Sequence, residues 1–191
     1  MIAGHFGFAA AVKARAPAVP LWALMLASQW LDVVFVPFLL AGVERFEPLA
    51  GTRPGAYGAA VIHADYTHSL VGALLLSALF GGLLALRYGK RSGVVLALVV
   101  LSHWFLDLPL HRADMQILPG ADGVLGFGLW RYPLVSGAVE LGVVIVGAAL
   151  YWRAAGRVAR DDAALQRRAR ICGASVLAAG LLTLALNLVG M

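Results

Sequence analysis

Long apolar runs separated by short polar turns dominate this chain. A helix that crosses a membrane needs roughly 20 mostly apolar residues. Five stretches reach that length: about Pro20 to Val43, Thr67 to Leu86, Gly93 to Leu110, Leu134 to Trp152 and Ile171 to Val189. A sixth apolar stretch, Ile2 to Val12, is too short to span. Its basic residues, Lys13 and Arg15, follow the apolar run, whereas a secretory signal carries them in front. Ala14-Arg15-Ala16 resembles a cleavage site, but Pro17 follows it. The segment therefore reads as a retained helix, lying on the membrane surface or dipping in and turning back against the bundle. There is no internal repeat, and the one linker-like stretch is the Gly/Pro-bearing run from Pro48 to Gly58. The pattern predicts one all-α domain over residues 1–191, a polytopic membrane helix bundle of about five transmembrane helices plus a short N-terminal helix.

Composition agrees. Hydrophobic residues make up 61% of the chain and charged residues 13%, with a mean hydropathy of +0.85. Soluble domains average about 45–50% apolar and about 25% charged. Those values exclude a soluble enzyme, a disordered chain and a nucleic-acid-binding domain. The net charge of +5 therefore says more about orientation than about a polyanionic partner. Lys13 and Arg15 precede the first span, Arg87, Lys90 and Arg91 fill the turn between the second and third, and Arg153, Arg157, Arg160, Arg167, Arg168 and Arg170 crowd the turn between the fourth and fifth. The other connections are poorer, with Arg45 and Arg53 in one and Arg112 and Arg131 in the other. Cation-rich loops stay in the cytoplasm, which puts the N-terminus inside and the C-terminus outside. The single cysteine, Cys172, excludes a disulfide framework and a cysteine-only metal site.

Ionisable residues within the spans carry the chemistry, because burying them in lipid is costly. At a rise of about 1.5 Å per residue, Asp32 lies roughly 18 Å from the inner surface, His103 roughly 15 Å and Asp107 roughly 21 Å. Glu140 lies roughly 9 Å below the outer surface. Gln29 and Asn187 fall in the same outer half, and the inner halves hold nothing ionisable. His103, Asp107 and His111 stand at i, i+4 and i+8 and share one helix face, with Pro109 expected to kink the helix and turn His111 outward. The stretch from His63 to Ser69, at the mouth of the second span, offers two imidazoles (His63 and His68), the Asp65 carboxylate and the hydroxyls of Thr67 and Ser69. His5 reaches the same zone only if its helix is re-entrant.

Imidazoles mixed with carboxylates suit zinc, manganese or iron. A catalytic zinc site uses about three protein ligands and keeps one position for water, whose pKa the metal lowers. Asp32, His68, His103 and Asp107 supply such a set from three spans. His63, His111 and Glu140 are available for a second ion or as acid and base. Simpler readings exist for some of these: His63 and His111 as interfacial histidines, Glu140 as a partner of Arg131 or Arg112, and Thr67 as a helix cap. A transporter would use the same cluster as an ion relay, but the bare inner halves leave its path incomplete. A haem held by His68 and His103 fits poorly, since the two differ by more than about 10 Å in depth.

The order of an apolar helix with Asp, then His-x3-Thr-His-Ser opening a helix, then His-x3-Asp near the end of the next resembles the YdjM-like family of bacterial inner-membrane proteins described as metal-dependent hydrolases. The matching positions are His5, Asp32, His63, Thr67, His68, Ser69, His103 and Asp107, all within the first 110 residues or so. Leu31 stands where that family usually has Pro before the first Asp, and Ala64 where it often has Arg. The resemblance implies a hydrolase of the bacterial inner (cytoplasmic) membrane with one or two divalent ions, zinc the leading choice. The expected ligands are Asp32, His68, His103, Asp107, His5 and His111, and the expected catalytic groups Glu140, His63 and Asp65. A site at that depth implies a lipid or lipid-linked ester or phosphoester as substrate, with Arg112 and Arg131 available for a phosphate, and membrane lipids as the surroundings.

Overall fold

The computed structural model describes residues 2–52, 58–120, 124–159 and 162–189; Arg53 and Arg160 lie outside the described residues. The helices are α1 (Ile2–Arg15), α2 (Leu21–Ser28), α3 (Trp30–Leu40), α4 (Leu70–Asp107), α5 (Pro133–Val158) and α6 (Ala163–Val189). Two antiparallel pairs of short strands accompany them: β1 (Arg45–Pro48) with β2 (Ala60–His63), and β3 (Met115–Gln116) with β4 (Val124–Leu125). The linker-like run after Pro48 is the connection of the first pair, whose register sets Arg45 opposite His63.

The first predicted span is broken. α2 and α3 meet at Gln29 with a bend of 50°. The second and third predicted spans are the two helical arms of α4, separated at Gly89, whose φ of 81° and ψ of 159° are not helical, within the basic turn expected between them. A side chain rarely tolerates that φ, so glycine allows the reversal. A Cβ on Gly81 would lie 2.6 Å from the Gly93 carbonyl oxygen and from the Ala97 Cβ, so the two arms of α4 fold back on each other. Ser69 caps the first arm by accepting the Gly72 amide at 3.1 Å. By length and composition, three helices among the described residues are long and apolar enough to cross a membrane, or four if the bent pair is one span. Their outer faces are apolar: Leu86 is 87% exposed, with Leu75, Leu98 and Leu182 exposed beside other aliphatic residues.

α1 is neither on the surface nor loosely attached. Ala3, Gly4, His5, Gly7, Ala9 and Ala10 are buried along its length. The reason is the size of its residues. Gly7 and Gly147 pack backbone to backbone, and a Cβ on either would collide with the other helix. Small residues let two membrane helices approach closely enough for dispersion to hold them.

The two ends of the bundle differ in composition. At one end the Gly89 break brings Tyr88 to Trp22 at the start of α2, with ring centroids 6.3 Å apart. A cavity of about 470 Å³ at the α5–α6 turn is lined by Lys13, Tyr151, Arg157, Arg168 and Cys172 among others. Lys13 Nζ donates to the carbonyls of Pro17 and Val19, both at 2.7 Å, and its partial burial lowers its pKa. The three basic segments of the sequence thus meet at one end. The strand pairs, the histidines and, among the described residues, the acidic residues other than Asp162 occupy the other.

Candidate metal centre

His103 and Asp107 lie one turn apart at the end of α4, both almost fully buried. His103 Nε2 is 3.2 Å from Asp107 Oδ2 and 3.7 Å from Asp32 Oδ2. Its other nitrogen, Nδ1, donates to the Ser28 carbonyl at 2.8 Å. That carbonyl is available because the bend at Gln29 ends α2, and the last carbonyls of a helix have no partner within it. The same break starts α3, and Asp32 sits in its first turn. The bend therefore both orients an imidazole and delivers a carboxylate to it.

His68 approaches from the start of the first arm of α4. Its Nε2 is 3.4 Å from Asp32 Oδ1, and its Nδ1 is 2.9 Å from Thr67 Oγ1. Thr67 gives its one hydroxyl proton to Glu44 Oε2 at 2.8 Å, so it accepts from His68. Glu44 is buried and also accepts the amides of Tyr66 and Thr67. The large depth difference expected between His68 and His103 is not found: their ring centroids are 5.3 Å apart. The arms of α4 run antiparallel, so the residue before the first arm and the end of the second come to one level. Trp104 Nε1 fixes the match by donating to the His68 carbonyl at 2.9 Å.

His111 is not turned outward by Pro109. The helix ends at Asp107, whose carbonyl accepts the amides of Leu110 and His111 in a tight turn. His111 is buried, with Nε2 3.6 Å from Asp107 Oδ2 and Nδ1 donating to Asp114 Oδ1 at 3.0 Å. His5 arrives on α1, 1% exposed, with Nε2 3.2 Å from Asp107 Oδ1. The N-terminal end of α1 is held by Gln29, which donates to the Ile2 carbonyl, and by Glu140 Oε2, which accepts the Gly4 amide at 3.2 Å.

These separations are ones that a metal ion between the groups could use. His103, His68 and His111 each use Nδ1–H as a donor, which leaves Nε2 to face carboxylate oxygens. Metal-ligating histidines are oriented in this way, by an acceptor on the other nitrogen. His103 Nε2 and both ring nitrogens of His5 are buried and make no hydrogen bond. Ligand atoms about 2.0–2.2 Å from an ion stand about 3.4 Å apart at tetrahedral angles. Ligand atoms of His5, His103 and Asp107 lie within 4.8 Å of one another, and so do those of Asp32, His68 and His103.

The cluster floors a cavity of about 480 Å³. Asp32, whose side chain is 40% exposed, opens onto it together with His68, Asp107, His111, Glu140 and Asn187. Its upper walls are apolar, with Phe35, Phe46, Ile62 and Trp130. Two expected catalytic residues are elsewhere. His63 is on β2, where its Nε2 pairs with Glu47 Oε2 at 2.9 Å, and Asp65 accepts from Gln116 Nε2 at 2.7 Å. Neither lines the cavity among the described residues. Arg112 donates twice to the Gly58 carbonyl, and Arg131 is exposed. Sequence reading missed Glu44, Ser28 and Asp114, which orient three of the histidines. Glu44 had a faint signal, a carboxylate one residue beyond a span; the other two had none. Comparison with known protein families, with curated proteins and with solved structures yields no match.

Proposed function

We propose that this protein is a membrane-embedded, metal-dependent hydrolase, with zinc the leading metal, acting on an amphipathic ester or phosphoester. The carrying observation is the set of three histidines whose Nδ1 atoms are each tied to an acceptor while their Nε2 atoms face Asp32 and Asp107. An arrangement that turns imidazole nitrogens at carboxylates, with no hydrogen bond at His103 Nε2, calls for a cation between them. When bound, a divalent ion would supply a water of lowered pKa and polarise the scissile group. The chain's own residues do the rest. Glu140, on the cavity wall, takes and returns the proton. The half-exposed side of Asp32 admits water and the polar part of the substrate, while Phe35, Phe46, Ile62 and Trp130 receive its apolar part. The resemblance of the His-x3-Thr-His-Ser stretch supports the same reading.

The same reading counts five crossings: the bent α2–α3 pair, each arm of α4, α5 and α6. Each arm, about 18 residues, is about 27 Å long, close to the roughly 30 Å hydrocarbon core. The basic end then faces the cytoplasm of a bacterial inner membrane and the cavity opens on the outer side.

The test is metal analysis of the purified protein, followed by an assay with model esters and phosphoesters carrying a short acyl chain. Bound zinc with chelator-sensitive hydrolysis supports the proposal. Protein that holds no metal after exposure to zinc overturns it. Metal without hydrolysis, combined with liposome flux that needs Asp32, would turn the reading to transport.

A further inference from the structure

His5 and His103 stack face to face, with ring centroids 3.8 Å apart and planes 17° from parallel. An imidazole nitrogen binds a metal along its lone pair, which lies in the ring plane. Two nearly parallel planes at that spacing do not meet at bonding distance, so one ion cannot lie on the lone pairs of both rings. Asp107 spans the edge of the stack with one oxygen for each ring: Oδ1 is 3.2 Å from His5 Nε2, and Oδ2 is 3.2 Å from His103 Nε2. His103 has only one nitrogen to offer, because Nδ1 is committed to Ser28. It therefore cannot serve both of the three-residue groups around it at once. His5 is buried, and neither of its ring nitrogens makes a hydrogen bond.

We propose that the centre is binuclear, with Asp107 as the bridging ligand. Asp32, His68, His103 and Asp107 Oδ2 hold one ion. His5 and Asp107 Oδ1 hold the other, and His111, 3.6 Å from Asp107 Oδ2, stands beside the bridge. The stacking distance sets the two ions about 3.5–4 Å apart, the separation used by two-metal hydrolytic sites. This inference rests on the metal-dependent reading above and adds the number of ions and the assignment of ligands.

The experiment is metal counting on the full chain in detergent, loaded separately with Zn(II) and with Mn(II) and dialysed. Two ions per chain are expected. The Mn-loaded protein should give an exchange-coupled paramagnetic resonance spectrum. His5→Asn should reduce the content from two ions to one and replace the coupled spectrum with that of isolated Mn(II). One ion per wild-type chain with an uncoupled spectrum would overturn the binuclear assignment and leave the metal-dependent reading standing. No ion at all would overturn both. If His5→Asn does not fold, the wild-type count and spectrum decide by themselves.

Discussion

At one end of the bundle, Arg157 and Arg168 line a cavity beside Lys13, and both arginines are exposed. At the other, Asp107 is 2% exposed and stands within 3.6 Å of a nitrogen from each of three histidines. The two arginines are solvated and depend little on their exact position, since exposed charges near a membrane surface interact weakly and additively. The second group has given up water. Its histidines are fixed by acceptors on α2, on the Thr67 hydroxyl that Glu44 holds, and on Asp114, and each depends on the placement of the others. Charge at the basic end is spread over exposed side chains, whereas charge at the buried end is concentrated because several elements converge there.

Substitutions can break this contrast. The largest effect is expected for Asp107→Ala, which removes an oxygen from every histidine pair it serves. Metal content should fall to background in elemental analysis and hydrolysis with it. Next come the orienting groups. Thr67→Val or Glu44→Gln should leave the ligands present but weaken metal binding about 10–100-fold in a competition titration with a chromophoric chelator. If neither changes affinity, the buried end is not organised as described. Gly147→Leu, which forces α1 away from α5, should cost about 1–3 kcal/mol of stability by overpacking, read as a lower unfolding temperature, with loss of metal following as His5 shifts. His63→Gln, at a position the sequence marked but the fold sets against Glu47, should leave metal content unchanged. Smallest of all, Arg157→Gln and Arg168→Gln should each change stability by no more than about 0.5 kcal/mol and leave metal binding as it was.

The apolar pattern determined the helical class, and the i, i+4 spacing of His103 and Asp107 determined that they share a face, since both follow from local geometry. The basic turns announced which segments lie at one end. The same pattern placed the break near Gly89 between the two arms of α4, but it did not register the bend at Gln29, because apolar residues continue across it. Asp32, His68, His103 and Asp107 were legible as candidates because ionisable residues stand out in apolar runs. Glu44 was nearly legible, and the roles of Ser28 and Asp114 were not, since one acts through a backbone carbonyl and the other lies in a loop. His63 and Asp65 had the right composition but belong to a surface hairpin and a side-chain bond to Gln116. Which histidines gather around Asp107 was beyond any spacing rule. That depends on α1 being drawn against α5 by Gly7 and Gly147, which carries His5 onto the face of His103. Residue types and local periods are properties of the chain itself, whereas a common point for side chains from four elements exists only once those elements have packed.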